Sequence, residues 1–210
     1  MHILLTDILT CPRCGPAFGL ILLAERAEER RVLAGVLGCA NCREKYPVRN
    51  GAVDFGVEPA AAAGTTGATV AAGVPGAPGA ERLAALLGVT EGPAFVMLAG
   101  PAAAHANALA AMIPELEVVT IGAPAAAGDG PGVNRLYAGP PQLPLASGKV
   151  AGVALTGSAA EALLEEGARA VSPLGRLVLD PAPPDAAEKL KRHGMRIGAE
   201  QGGVAVAMRG

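Results

Sequence analysis

The sequence predicts an α/β protein in two unequal parts, a small β-rich metal ribbon followed by a larger doubly wound body. Three observations carry this. All four cysteines sit in two CxxC pairs, Cys11-Pro12-Arg13-Cys14 and Cys39-Ala40-Asn41-Cys42. Residues 57–79 are almost wholly Ala, Gly, Pro, Thr and Val, with Glu58 as their one charge. From Ala80 onward helical and strand patterns alternate, which is the mark of an α/β body. The expected boundaries are a zinc ribbon over residues 1–56, a linker over 57–79 and an α/β domain over 80–210.

Each CxxC pair places two thiols on one tight turn, and two such knuckles facing each other form the S₄ cage that Zn²⁺ prefers. The spacer of 24 residues is a little longer than the usual ribbon spacing of about 15–20. The polar stretch Glu25 to Arg31 suits an enlarged hairpin loop within it. Two redox-active or disulfide-forming pairs are the alternative, which needs a redox helix or an oxidising compartment; neither is indicated. Residues 1–10 have no basic region, and Asp7 interrupts their short apolar run, so no secretory signal is expected. Gly, Pro and charges break every apolar run well short of the roughly 18 residues of a membrane span. A cytoplasmic protein is the expectation, and there CxxC pairs point to metal or redox chemistry.

Within the first part, Phe18 to Leu23 and Arg31 to Leu37 read as the arms of an antiparallel hairpin. Leu4 to Ile8 is apolar and is expected to pair with later strands. Asn50-Gly51 is a strong type I′ turn signal. Gly15 suits the tight turn after the first knuckle, whereas Arg43 holds that place after the second. Arg43 costs some turn geometry and offsets the cage's net negative charge.

Composition bounds the function. The apolar fraction of 51% rests on Ala, Val and Leu, with three Phe, two Tyr and no Trp, so each core residue buries little area. The formal net charge is −2, and a split at residue 58 gives seven basic and seven acidic residues, then ten and twelve. Neither part has the basic excess that binding to phosphate backbones relies on. No direct nucleic-acid ligand is expected.

The segments LTDILTCPRCG and LGCANCREKYPVRNGAVDF resemble the small zinc-ribbon family that activates tRNA, rRNA and translation-factor methyltransferases. The resemblance covers the first 56 residues. It implies zinc at Cys11, Cys14, Cys39 and Cys42, with Tyr46, Pro47 and Val48 on the strand after the second knuckle. It also implies a partner-binding module with no catalytic residue of its own.

The second part resembles a class I S-adenosylmethionine-dependent methyltransferase. Glu81 to Ala99 reads as a helix, a turn and the first strand, Leu116 to Ile121 as the second strand and Arg135 to Ala138 as the third. Leu143 to Leu155 resembles the stretch before and through the fourth strand, and Ser172 to Leu179 the fifth. Between these two lies an amphipathic helix over Ala159 to Val171, and a helix over Asp185 to His193 with two strands ending at Met208 completes the sheet.

At the cofactor contacts the sequence departs from that family. Met97 stands where the first strand should carry an acid, and Gly100 alone survives from the glycine-rich turn, followed by Pro101. Val119 to Pro124 has no acid to accept the ribose hydroxyls, and Gly139-Pro140-Pro141 lacks the one that reads adenine. Three lost contacts at about 1–3 kcal/mol apiece weaken binding by several orders of magnitude. No replacement chemistry stands out. His105 reads as a packed or surface helix residue, Asp180 as a turn cap, Thr156-Gly157-Ser158 as the cap of the next helix and His193 as a helix end. Glu161, Glu165, Glu166 and Arg169 read as a solvated face.

The sequence thus points to a pseudoenzyme, with no catalytic and no cofactor-binding residue, that serves as a binding or scaffold subunit among protein partners. An active methyltransferase with an unusual pocket, or an activator of a separate methyltransferase, is the alternative. The linker and the ribbon's exposed strand edge are expected to lie along a neighbouring subunit, in the manner of strand addition.

Overall fold

The computed structural model describes residues 1–57, 79–122 and 130–210. The expected linker, apart from Val57 and Gly79, lies outside the described residues, as do Ala123 and Pro124.

The ribbon is a four-stranded antiparallel meander of β1 (Leu20–Glu28), β2 (Arg31–Cys39), β3 (Lys45–Arg49) and β4 (Ala52–Asp54). Asn50 and Gly51 form its last turn with φ of 49° and 74°, the two positive angles that a type I′ hairpin requires. The expectation for Leu4 to Ile8 fails: Ile3–Ile8 is a 3₁₀ helix. Three residues complete a turn of such a helix, so Leu5 and Ile8 fall on one side, and both are buried. The pairing falls to the next two residues, Leu9 with Leu145 and Thr10 with Gly19.

The rest alternates as the pattern demands. Helix α1 (Ala80–Leu87) leads to β5 (Ala94–Ala99), a 3₁₀ segment Gly100–His105, α2 (Ala106–Met112), β6 (Leu116–Ile121) and β7 (Val133–Tyr137). Then come β8 (Val150–Thr156), α3 (Ala159–Ala162), α4 (Leu164–Ala170), β9 (Val171–Asp180), α5 (Ala186–Arg192), β10 (Met195–Gln201) and β11 (Val204–Arg209). The single helix expected over 159–171 is two, parted at Leu163.

All eleven strands belong to one sheet, in the order β1-β2-β3-β4-β7-β6-β5-β8-β9-β11-β10. From β4 to β9 every pairing is parallel. The ribbon's last strand, β4, pairs with β7, Val53 opposite Leu136, and β1 is left as the outer edge of the sheet. The larger part is a doubly wound sheet, whose direction of winding reverses between β5 and β8.

Burial follows the two faces. Val96 and Leu98 pack with Leu83, Leu87 and Leu109 on the face covered by α1 and α2. Met97 and Ala99 alternate to the opposite face, as strand periodicity requires. There the core runs unbroken from Leu177 and Leu190 through Leu143 and Leu145 into Leu5, Leu37 and Val53 of the ribbon. One hydrophobic cluster therefore serves both parts.

Two polar joints reinforce it. Arg31, at the start of β2, donates to both carboxylate oxygens of Glu117 on β6, at 2.9 and 2.8 Å. The fully buried Asn134 of β7 donates to Glu117 at 2.7 Å and accepts from the His2 amide at 2.6 Å. In the second joint, Arg169 donates to Glu166 at 3.0 and 2.7 Å and to the carbonyls of Leu143 and Leu145. Glu166 in turn accepts the Leu143 amide at 2.8 Å. The segment so held pairs with the ribbon, through Thr10 N to Pro144 O at 3.0 Å and Ala146 N to Ile8 O at 2.8 Å. Glu166 and Arg169 are thus not the solvated face their helical spacing suggested: their side chains are 19% and 14% exposed.

Candidate functional site

The four cysteines converge. The Sγ atoms of Cys11 and Cys42 lie 3.6 Å apart, those of Cys14 and Cys39 3.8 Å, and all four fall within 4.8 Å of one another. A tetrahedron of sulfurs about 2.3 Å from a central Zn²⁺ has edges of about 3.8 Å, so the cage fits that ion. Among the described residues it is the one cluster of His, Cys, Asp or Glu placed to hold a metal. The all-sulfur donor set selects a soft or borderline cation, and the cofactor is zinc.

The two knuckles are built alike. Gly15 N donates to Cys11 O and Arg43 N to Cys39 O, each at 2.9 Å. The matching residues have positive φ, 101° at Gly15 and 63° at Arg43, and the arginine bears the strain that glycine avoids.

The sulfurs are tuned unequally. Burial pushes the Cys11 thiol up, but the Tyr46 hydroxyl at 3.3 Å and the backbone of Cys14 and Arg13 outweigh it and bring Cys11 to about 7. At Cys42 the Glu44 backbone pulls down, while burial and the three neighbouring thiols push the group up to about 12. The Cys11 thiolate forms readily and Cys42 resists. A divalent cation removes that resistance by compensating the charge, so metal binding and deprotonation are coupled. With four protein ligands filling the coordination sphere, such a metal is structural and has no open position for substrate.

The second place to seek chemistry is the switch point between β5 and β8, where open α/β sheets take their ligands. Here the chain closes on itself. Thr156, the last residue of β8, donates from Oγ1 to Ala99 O at 3.1 Å and accepts from Ala102 N at 2.7 Å. Gly100, with φ of 72°, lies so close that a Cβ there would run into the Thr156 carbonyl. Pro101 covers Gly157, where an added Cβ would meet its ring at 3.2 Å.

The other residues singled out by sequence are scattered. Met97 is fully buried between Val119 and Val153. Gly122 follows β6 and Pro140 follows β7. His105 ends the 3₁₀ segment before α2, His193 caps α5, and the Asp180 carbonyl accepts from Gly157 N at 2.7 Å. Ser158 makes no side-chain cap to α3. The expected helix cap is thus corrected: Thr156 serves the turn after β5, because the register of Ala99 with Leu155 sets it beside Gly100. Sequence reasoning missed that role, since the signal is a contact 54 residues away.

Residues 2–51 match the family model described as Trm112p-like protein. No curated protein matches the sequence. Among solved structures, a chain from the complex between the Haloferax volcanii Trm112 methyltransferase activator and a methyltransferase is similar at 18% identity and a TM-score of 0.47, covering 57% of this chain and 68% of that one. The [4+2]-cyclase SpnF is similar at 14% identity and a TM-score of 0.47, over 57% of each chain. TrmN from Thermus thermophilus is similar at 19% identity and a TM-score of 0.44, over 62% of this chain and 48% of its own. Residues 2–51, which hold all four cysteines, are thus similar to the Trm112p-like family and continue into an α/β body. Among the described residues no helix is long and apolar enough to cross a membrane.

Proposed function

We propose that the protein is a non-catalytic binding or scaffold subunit, built from a zinc ribbon over residues 1–56 and a methyltransferase-like body over 80–210 that has lost its cofactor. In this reading Cys11, Cys14, Cys39 and Cys42 hold one structural zinc, and no residue acts on substrate. The supporting observation is the self-closed crevice. Thr156 takes the Ala102 amide for itself, and Met97 within β5, Gly122 after β6 and Pro140 after β7 stand where the resemblance calls for cofactor-binding acids. A fold carries no activity without its site groups.

Thermal unfolding tests the reading. A cofactor present at a hundred times its dissociation constant stabilises by about 2.7 kcal/mol, which for a chain of this size raises Tm by roughly 5–10 °C. Millimolar S-adenosylmethionine is expected to leave Tm unchanged. A rise of that size would restore the enzyme reading.

A further inference from the structure

The ribbon's outer face is unfinished. Cross-strand registers set three rows on it, Ile21-Gly38-Lys45, Leu23-Val36-Pro47 and Arg26-Ala34-Arg49. Ile21 and Leu23 are 58% and 65% exposed, although their neighbours Leu20 and Leu22 turn into the core. A groove of about 510 Å³ beside Leu23 is lined by Ala34, Val36 and Pro47, with Arg26, Arg49 and Glu25 on its walls. Arg49 stays 75% exposed, with Asp54 no closer than 3.9 Å.

We propose that this face docks an amphipathic helix of a partner protein, its apolar stripe over Leu23, Val36 and Pro47 and its acidic residues against Arg26, Arg49 and Lys45. The inference rests on the scaffold reading, which calls for a partner. Three features select this occupant. Elsewhere the sheet is layered with helices, which pack on β6 to β10, and an α/β sheet left bare on one face exposes apolar side chains that a further layer covers. Strand addition at β4 is used up within the chain, because β4 pairs with β7, and at β1, the outer edge of the sheet, an added strand would extend the sheet and leave this face bare. Finally, the cations call for acids. The chain's own segment 57–79 has only Glu58 to offer, so it does not supply them.

The test uses the full zinc-loaded chain, isotope-labelled, and two synthetic helical peptides sharing one leucine stripe, one flanked by Glu and the other by Lys. The acidic peptide is expected to shift the amides of β1 to β3 and to bind at least about fivefold more tightly than its basic twin, with the preference lost at high salt. Leu23→Glu, with zinc content unchanged, should abolish binding, and Arg49→Glu should reverse the preference for the two peptides. Equal binding of both peptides, shifts elsewhere, or binding that survives Leu23→Glu overturns the proposal. So does a protein that ignores both peptides but sediments with phosphatidylserine vesicles. If the acidic peptide binds as expected while S-adenosylmethionine also raises Tm, the surface stands and the non-catalytic reading falls.

Discussion

Arg31 of the ribbon and Glu117 of the larger sheet form a two-pronged ion pair, with nitrogen–oxygen distances of 2.9 and 2.8 Å. They are 86 residues apart in sequence, and their side chains are 24% and 16% exposed. Truncating one partner of such a pair leaves a poorly solvated charge. Glu117→Ala also strips Asn134, fully buried, of a bond at 2.7 Å. It is expected to cost about 1–3 kcal/mol, read from the urea midpoint at unchanged m-value. A change below about 0.5 kcal/mol would show the joint to be incidental.

The Glu166–Arg169 pair makes a parallel case. Glu166 accepts the Leu143 amide and orients Arg169 against two carbonyls. Glu166→Ala should destabilise by about 1–3 kcal/mol and raise the hydrogen-exchange rate of the Leu143 and Ala146 amides. Exchange that stays as slow as in the parent would mean the strand pairing holds that segment alone.

Zinc removal should be felt throughout. Cys11 and Cys39 belong to the same buried cluster as Leu143 and Leu177, so the ribbon shares its core with the sheet. A strong chelator is expected to lower the urea midpoint of the whole chain in one cooperative transition, because the metal's binding energy is folding energy. Two separated transitions, with β5 to β9 indifferent to the metal, would contradict the shared core.

At the crevice, Thr156→Val keeps the side-chain shape and removes both hydroxyl bonds. The Ala102 amide and Ala99 carbonyl then lie buried without that partner, at a cost of about 1–3 kcal/mol. The denaturation midpoint should fall accordingly, and the variant should gain no affinity for nucleosides. A neutral substitution would show that water serves the turn as well.

Local chemistry was legible in the sequence, and long-range pairing was not. The CxxC pairs, the Asn50-Gly51 turn and the strand Leu116 to Ile121 each announce themselves within a few residues, through spacing or periodicity. The seam between β4 and β7 has no such signal, for Val53 and Leu136 meet only because two registers agree. The spacing that marked Glu166 and Arg169 as one helix face was correct, but a face says nothing of what lies against it. Leu4 to Ile8 is apolar enough to pair as a strand, yet the anchoring of Leu5 and Ile8 on one side favours a tight helix over Ile3–Ile8.

The central claim is that this doubly wound sheet does not take S-adenosylmethionine, and calorimetry tests it most directly. Titrating zinc-loaded protein with the cofactor to millimolar concentration should give only heats of dilution, because Thr156 satisfies the Ala102 amide within the chain and Met97, Gly122 and Pro140 supply no carboxylate. A saturable isotherm with a dissociation constant in the low micromolar range, worth about 7–8 kcal/mol of binding, would contradict the account and make the protein an enzyme.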